Sequence, residues 1–126
     1  MAQEFDILIL GGGSAGYATA LRARQLGFSV GLIEKDKVGG TCLHTGCIPT
    51  KAYLHAAELA EDAREASKVG VNTELQSIEM GKVRNYKDGI VGGKFKGLSG
   101  LLKMKGVEVI NLSLIHISEP TRPLYI

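Results

Sequence analysis

The chain has two cysteines, Cys42 and Cys47, and both lie in the run Gly39-Gly-Thr-Cys-Leu-His-Thr-Gly-Cys-Ile-Pro-Thr-Lys51. Thiols this close can exchange electrons, bind a metal or simply pack. Pro49 is tolerated only in the first turn of a helix, so the spacing predicts a helix starting near Gly46 to Pro49 and running to about Ala66. Cys47 then sits at a helix N-terminus, where the macrodipole lowers a thiol pKa and favours thiolate. Regular helix from Cys42 to Cys47 would hold their Cα atoms too far apart for a disulfide, so Gly46 and an irregular loop from Thr41 must bring them together. A loop this short stabilises a fold by only about 2 kcal/mol, which suits electron exchange better than stapling. Lys51, one turn beyond Cys47, is either a solvated helix lysine or a cation that supports a thiolate or a negatively charged reduced cofactor. A zinc site built on Cys42, His44 and Cys47 lacks its remaining ligands, so no metal site is expected. Unlinked structural cysteines are a further alternative. His44 and His55 read as ordinary loop and helix-surface residues.

The preceding segment shows what could hold a cofactor near such a pair. Phe5 to Leu10 is an apolar, β-branched-rich run of the kind buried on both faces of a sheet. It enters Gly11-Gly-Gly-Ser-Ala-Gly16, then a helical stretch with Ala18, Leu21, Ala23 and Leu26 as candidates for the packed face, stopped by Gly27. Phe28 to Ile33 is a second apolar strand and ends on Glu34. Strand, glycine turn, helix, strand and acid make a βαβ unit. In Gly11-x-Gly13-x-x-Gly16 the first glycine makes the turn, the second lets a pyrophosphate approach the backbone, and the third lets helix and strand pack closely. The free N–H groups of the helix start meet the anion, and Glu34 can accept ribose hydroxyls. An acid at this place argues against a 2′-phosphate. The ligand of this unit is therefore FAD or NAD; the alternative is a tight turn with no ligand.

After a connection over Val69 to Ser77, a third helical pattern begins near Ile78 and runs through Val83, Tyr86, Ile90, Leu98 and Leu101. Gly89, Gly93 and Gly97 recur every four residues, a smooth strip that another backbone could approach. The basic residues between Lys82 and Lys105 lack interleaved stacking aromatics beyond Tyr86 and Phe95, so they read as a solvated helix face and not a nucleic-acid patch. Gly106 precedes a short strand over Val107 to Ile110. There is no run of about eighteen apolar residues, so no segment is expected to span a membrane. The 126 residues suffice for one modest domain, with 44% apolar and 22% charged residues and a net charge of +2. No signal-peptide pattern is apparent, and a close cysteine pair in an unexported chain gives the expectation of a cytoplasmic protein.

Taken together, Gly11-x-Gly13-x-x-Gly16, Glu34 and Cys42-x4-Cys47-x3-Lys51 resemble the flavin-dependent pyridine nucleotide–disulfide oxidoreductases, and the likeness runs through Tyr86-Lys-Asp-Gly89 and Gly97-Leu to about Asn111. The run from Gly39 to Lys51 looks most like the dihydrolipoamide-oxidising branch; branches acting on glutathione or mercuric ion, the alternative within the family, typically carry Val-Pro where this chain has Ile48-Pro49. The resemblance implies an α/β fold: a Rossmann-like parallel-sheet FAD-binding domain, truncated. It implies FAD, with Gly11, Gly13 and Gly16 at its pyrophosphate, Glu34 at its adenosine ribose, Lys35, Gly40, Thr41 and Cys42 bordering it, and Lys51 beside the isoalloxazine. Cys47 would lie against the flavin and form a charge-transfer pair as thiolate, while Cys42 exchanges with the substrate. The implied reaction takes electrons from dihydrolipoamide, carried on the acyltransferase of 2-oxoacid dehydrogenase complexes, through the disulfide and FAD to NAD+. The full-length protein would be a homodimer.

Residues 1–111 are thus expected to be the N-terminal part of the FAD-binding domain, including the redox-disulfide helix. Leu112 to Arg122 reads, residue for residue, as the in-frame translation of a transposase adaptor used in preparing DNA sequencing libraries. Residues 112–126 are accordingly expected to be non-native. The NAD-binding domain, the dimer interface and the histidine–glutamate acid–base pair of the resembled family all lie further along its chains. The 126-residue polypeptide is expected to bind FAD weakly at best and to have no dehydrogenase turnover.

Overall fold

Three short apolar runs become strands in the computed structural model, which describes residues 3–112. They are β1 (Ile7–Leu10), β2 (Val30–Glu34) and β3 (Glu108–Asn111). All pair in parallel, in the order β1-β2-β3, so each connection is a crossover. The helices are α1 (Ser14–Gln25), α2 (Gly40–His44), α3 (Cys47–Glu65) and α4 (Met80–Met104). A 3-10 turn over Ala66–Val69 follows α3. This is the truncated, Rossmann-like α/β arrangement that the sequence implies.

The chain divides into two units, one of residues up to Gly40 together with those from Gly97 onward, the other of Thr41–Lys96. In the first, β2 is the central strand and Val30 to Ile33 are buried on both faces. The expectation for β1 needs correction. Its residues alternate half-buried and exposed, and Leu8 and Leu10 keep 58% and 56% of their surface. Among the described residues β1 has a strand on one side only, and its Leu8 and Leu10 side chains lie on the face opposite α1. The packed face of α1 also differs from the expected set. Ala20 and Ala23 are buried, whereas Ala18 and Leu26 are exposed. The phase is set at Gly16, where the helix touches the end of β1, and Ala20 and Ala23 follow at helical spacing. Gly27, with φ +93°, ends the helix as expected. At the start of the sheet, Asp6 and Ser29 bind reciprocally. The Asp6 N–H donates to Ser29 Oγ at 2.8 Å, and the Ser29 N–H and Oγ–H both donate to Asp6 Oδ2 at 2.7 Å. Those side-chain and backbone bonds from Ser29 hold the Asp6 carboxyl below its ordinary range.

In the second unit α3 starts at Cys47, within the expected window, and buries Pro49, Ala52 and Ala60. The sequence periodicity puts Ala52, Ala56, Leu59 and Ala63 on one stripe, but Leu59 is 57% exposed, because the buried row steps from Ala52 through half-buried Ala56 to Ala60. α4 appears where the third helical pattern was read. Its basic residues are exposed except Lys87, which is paired with Asp88. A Cβ built on Gly89, Gly93 or Gly97 meets nothing within 4 Å among the described residues, so the glycine strip has no close neighbour there. No helix among the described residues is long and apolar enough to cross a membrane. Apart from Leu112, the expected non-native tail lies outside the described residues.

Two glycines of the turn should separate cleanly in a stability measurement. A Cβ on residue 16 would lie 1.8 Å from the Gly11 carbonyl oxygen, whereas one on residue 13 meets nothing within 4 Å. Gly16→Ala is expected to destabilise the fold by about 3 kcal/mol. Gly13→Ala, at an N-cap with negative φ, should cost less than about 1 kcal/mol. Urea midpoints of the two variants against the parent chain check this, and equal midpoints would contradict it.

Candidate functional site

The first cluster of candidate residues is built at the carboxyl end of β1 and β2. β1 stops at Leu10, the Gly11 N–H donates to the Ile33 carbonyl at 2.8 Å, and Gly11 then turns with φ +93°. α1 follows with Gly13 as N-cap, no side-chain cap and no acid in its first turn. Its first internal bond runs from the Tyr17 N–H to the Gly13 carbonyl, leaving the N–H groups of Ser14, Ala15 and Gly16 available to an anion. Gly40, with φ +60°, comes so near that a Cβ on it would lie 2.8 Å from the Gly13 Cα. Beside the turn is a cleft of about 400 Å³, lined by Leu10, Gly11, Ile33, Glu34, Lys35 and Gly40, and also by Leu112, the first residue of the tail expected to be non-native. Apolar walls, open helix-end N–H groups and one carboxylate suit an adenine–ribose–pyrophosphate moiety, so these residues fit FAD.

Glu34 does more in this cluster than a ribose acceptor needs to. Its Oε2 accepts the Gly12 N–H at 2.7 Å, and its Oε1 accepts the Lys35 and Asp36 N–H groups at 2.7 and 3.1 Å. Partial burial works against the charge. The three backbone N–H donations and the positive Lys35 outweigh it and keep the carboxyl below its ordinary range. Gly12 was not singled out by the sequence pattern, which uses only the flanking glycines. It is nevertheless held on both sides, since its carbonyl accepts the Gly39 N–H at 2.7 Å. The extra glycine in the Gly11–Gly13 run was the available signal.

The second cluster is the cysteine pair. Cys42 and Cys47 form a disulfide with Cα atoms 4.7 Å apart. Cys42 lies in α2, a short helix where an irregular loop was expected, and the break falls at Thr45 and Gly46. Gly46 is required for the close approach: a Cβ there would meet the Thr41 carbonyl oxygen at 3.0 Å and the Cys42 Cα at 3.3 Å. Cys47 is the first residue of α3, whose N-cap Gly46 offers no side chain and whose first turn holds no acid, so the helix dipole acts on the sulfur unopposed. Cys47 is exposed and Cys42 half-buried. Lys51 is exposed one turn further along α3, and Thr41 is exposed at the start of the unit. The His44 ring meets Phe95 of α4 edge to face, with centroids 5.4 Å apart, so Phe95 buttresses the loop between the cysteines. His55 lies near Tyr86 at 6.3 Å. Among the described residues no cluster of His, Cys, Asp or Glu could hold a metal ion.

Residues 5–110 match the model of the pyridine nucleotide-disulphide oxidoreductase family. The chain is similar to the dihydrolipoyl dehydrogenase of Bacillus subtilis, at 47% identity over 109 residues, which cover 86% of this chain and 23% of that protein. It is also similar to the dihydrolipoyl dehydrogenases of Acholeplasma laidlawii, at 41% identity covering 88% of this chain and 33% of the relative, and of Pseudomonas aeruginosa, at 44% covering 83% and 23%. The chain thus spans about a quarter to a third of the length of these curated relatives.

The exposures of the two cysteine residues set an order of reactivity. After reduction in the absence of flavin, Cys47 should alkylate faster than Cys42, by at least about threefold near neutral pH, because it is exposed and at a helix start. Timed iodoacetamide labelling followed by peptide mass analysis reads the ratio, and faster labelling of Cys42 would refute the assignment.

Proposed function

The chain belongs to the pyridine nucleotide-disulphide oxidoreductase family, and on that premise we propose that it is the N-terminal part of a flavoprotein oxidising dihydrolipoamide to lipoamide with NAD+ as final acceptor. The observation that carries this reading is the Cys42–Cys47 disulfide, closed at the N-terminus of a long helix with an uncapped, acid-free first turn. The similarity to proteins named dihydrolipoyl dehydrogenase supports the substrate. One thiol of the substrate attacks the sulfur of Cys42, the Cys42–Cys47 bond breaks, and Cys47 leaves as thiolate. The second substrate thiol then displaces Cys42, giving the cyclic substrate disulfide. Two protons and two electrons have left the dihydrolipoamide, and the electrons rest on the two cysteines. The helix start makes Cys47 the better leaving group, and Lys51 adds a positive charge on the same helix.

Gly11, Gly13 and Gly16 with the start of α1 would hold the pyrophosphate of FAD, Glu34 its adenosine ribose, and Lys35, Gly40, Thr41 and Cys42 would border it. Lys51 would stand beside the isoalloxazine. When bound, FAD supplies the two-electron relay between the dithiol and the nicotinamide. The acyltransferase-borne lipoyl group is the partner of the full-length homodimer. Residues from Leu112 onward are proposed to be non-native, the gene continuing past Asn111 in another sequence.

Amplifying and sequencing the source DNA across the codons for Gly106 to Ile126 comes first. The expected result is a frame that runs on past Asn111 into a second glycine-rich nucleotide motif and a late His…Glu pair. A genomic stop after Ile126 would sink the enzyme reading. The product of the extended gene should then reduce NAD+ with dihydrolipoamide, and Cys47→Ser should lower turnover by about a thousandfold or more. The 126-residue chain alone should form no NADH from the same mixture.

A further inference from the structure

The short helix that carries Cys42 has little of its own to hold it. α2 has five residues, too few for a helix to persist on its internal bonds. The Thr45 N–H donates to the Thr41 carbonyl at 2.9 Å, which closes one turn. Leu43 is buried, Cys42 is tied to Cys47, and the His44 ring meets Phe95 edge to face at 5.4 Å. Reduction removes the covalent tie and leaves the packing. Gly46, which has no side chain, then gives the segment freedom to swing. Phe95 does not share that freedom, because it sits within the 25-residue α4. Both rings of the contact are half-buried, so neither is simply lying in solvent.

We propose that Phe95 is a positioning residue for the cysteine pair: through His44 it keeps Cys42 within bonding reach of Cys47 in the dithiol, and so makes the disulfide harder to reduce. This role rests on the reading of the pair as redox-active. Closing a disulfide on a segment already in place orders little, whereas closing it on a loose one costs the freedom that the segment gives up. The His44–Phe95 contact raises the fraction of dithiol molecules poised for closure, and the equilibrium shifts by that fraction. With glutathione as the couple, the protein dithiol and one glutathione disulfide give the protein disulfide and two glutathione thiols. The cysteines lose two electrons and two protons, and the glutathione pair takes them up. Replacing Phe95 by Ala or Tyr changes no charge, so a shift on replacement reports packing and not the stabilisation of a thiolate.

The test equilibrates the 126-residue chain with mixtures of reduced and oxidised glutathione, quenches by alkylation and reads the disulfide fraction by mass. Phe95→Ala should lower the equilibrium constant for disulfide formation by about fivefold, the size expected of one aromatic pair, and Phe95→Tyr should stay within about twofold of the parent. His44→Ala should lower it similarly. The double variant should lower it no further than either single one, since both remove the same contact. In concentrated urea the parent and the variants should agree, because no packing then holds the segment. Constants equal to the parent's in buffer, with urea midpoints lowered alike in the oxidised and reduced forms, make the contact merely structural and overturn the positioning role. Additive losses in the double variant overturn it too. A Phe95→Ala chain whose constant in buffer equals its own value in urea has unfolded, and His44→Ala then decides: a loss supports the role and no loss overturns it. A parent pair that does not exchange reversibly with glutathione takes down the redox reading itself, and the role of Phe95 with it.

Discussion

The carbonyl oxygen of Gly11 stands where a side chain on residue 16 would begin. Much of the first unit follows from that closeness. Because α1 comes down directly on the end of β1, its phase is fixed, and Ala20 and Ala23 are turned inward over the face of the sheet that carries Ile9 and Leu32. The same approach brings the free N–H groups of the helix start to the carboxyl ends of the strands, next to Glu34 and the apolar cleft. Helix packing and the placing of open helix-start N–H groups beside the strand ends are thus two results of one missing methyl group.

Much of this was legible in the residues, and the failures have physical causes. The glycine spacing, Glu34 at the end of its strand and Pro49 in the first turn of α3 each impose a local geometry that neighbouring chain cannot override. The burial of β1 depended instead on what lies beside it. A run such as Ile7–Leu10 reads alike at an edge and at a centre, and among the described residues it is an edge. The faces of α1 and α3 were misjudged for a related reason. Apolar periodicity gave several adjacent stripes, and the contact that selects one, at Gly16 or at Ala52 and Ala60, is tertiary. The helical turn at Cys42 escaped notice because glycine- and threonine-rich sequence gives little local helical signal.

Polar side chains lock the β1–β2 pair at both ends. Asp6 and Ser29 close the amino end, and Glu34 holds Gly12 at the other. Each carboxylate takes up backbone N–H groups that the short strands leave beyond their own ladder, and each is held in its charged form by doing so. Arg24 plays a similar part with the opposite charge. Its Nε donates to the Lys105 carbonyl at 3.0 Å and its Nη1 to the Phe28 carbonyl at 2.8 Å, tying the end of α4 to the loop before β2. Short strands are made definite here by side chains that accept or donate at their ends.

The parallel pairing of β3 with β2 also has a bearing on how the chain acquires its structure. The second unit, with the disulfide, is threaded inside the connection between those two strands. That connection is roughly four times as long as the one joining β1 to β2, which adds about 1.2 kcal/mol of closure entropy if the segment is unstructured. Prior folding of the inserted segment would shorten the effective loop and lower that penalty. The cysteines, by contrast, meet across a few residues. During synthesis from the N-terminus, the first βαβ unit and the thiol pair emerge well before Glu108. Oxidation of the pair therefore need not wait for the sheet, and of the three described strands the one that pairs alongside Glu34 is made after the thiols.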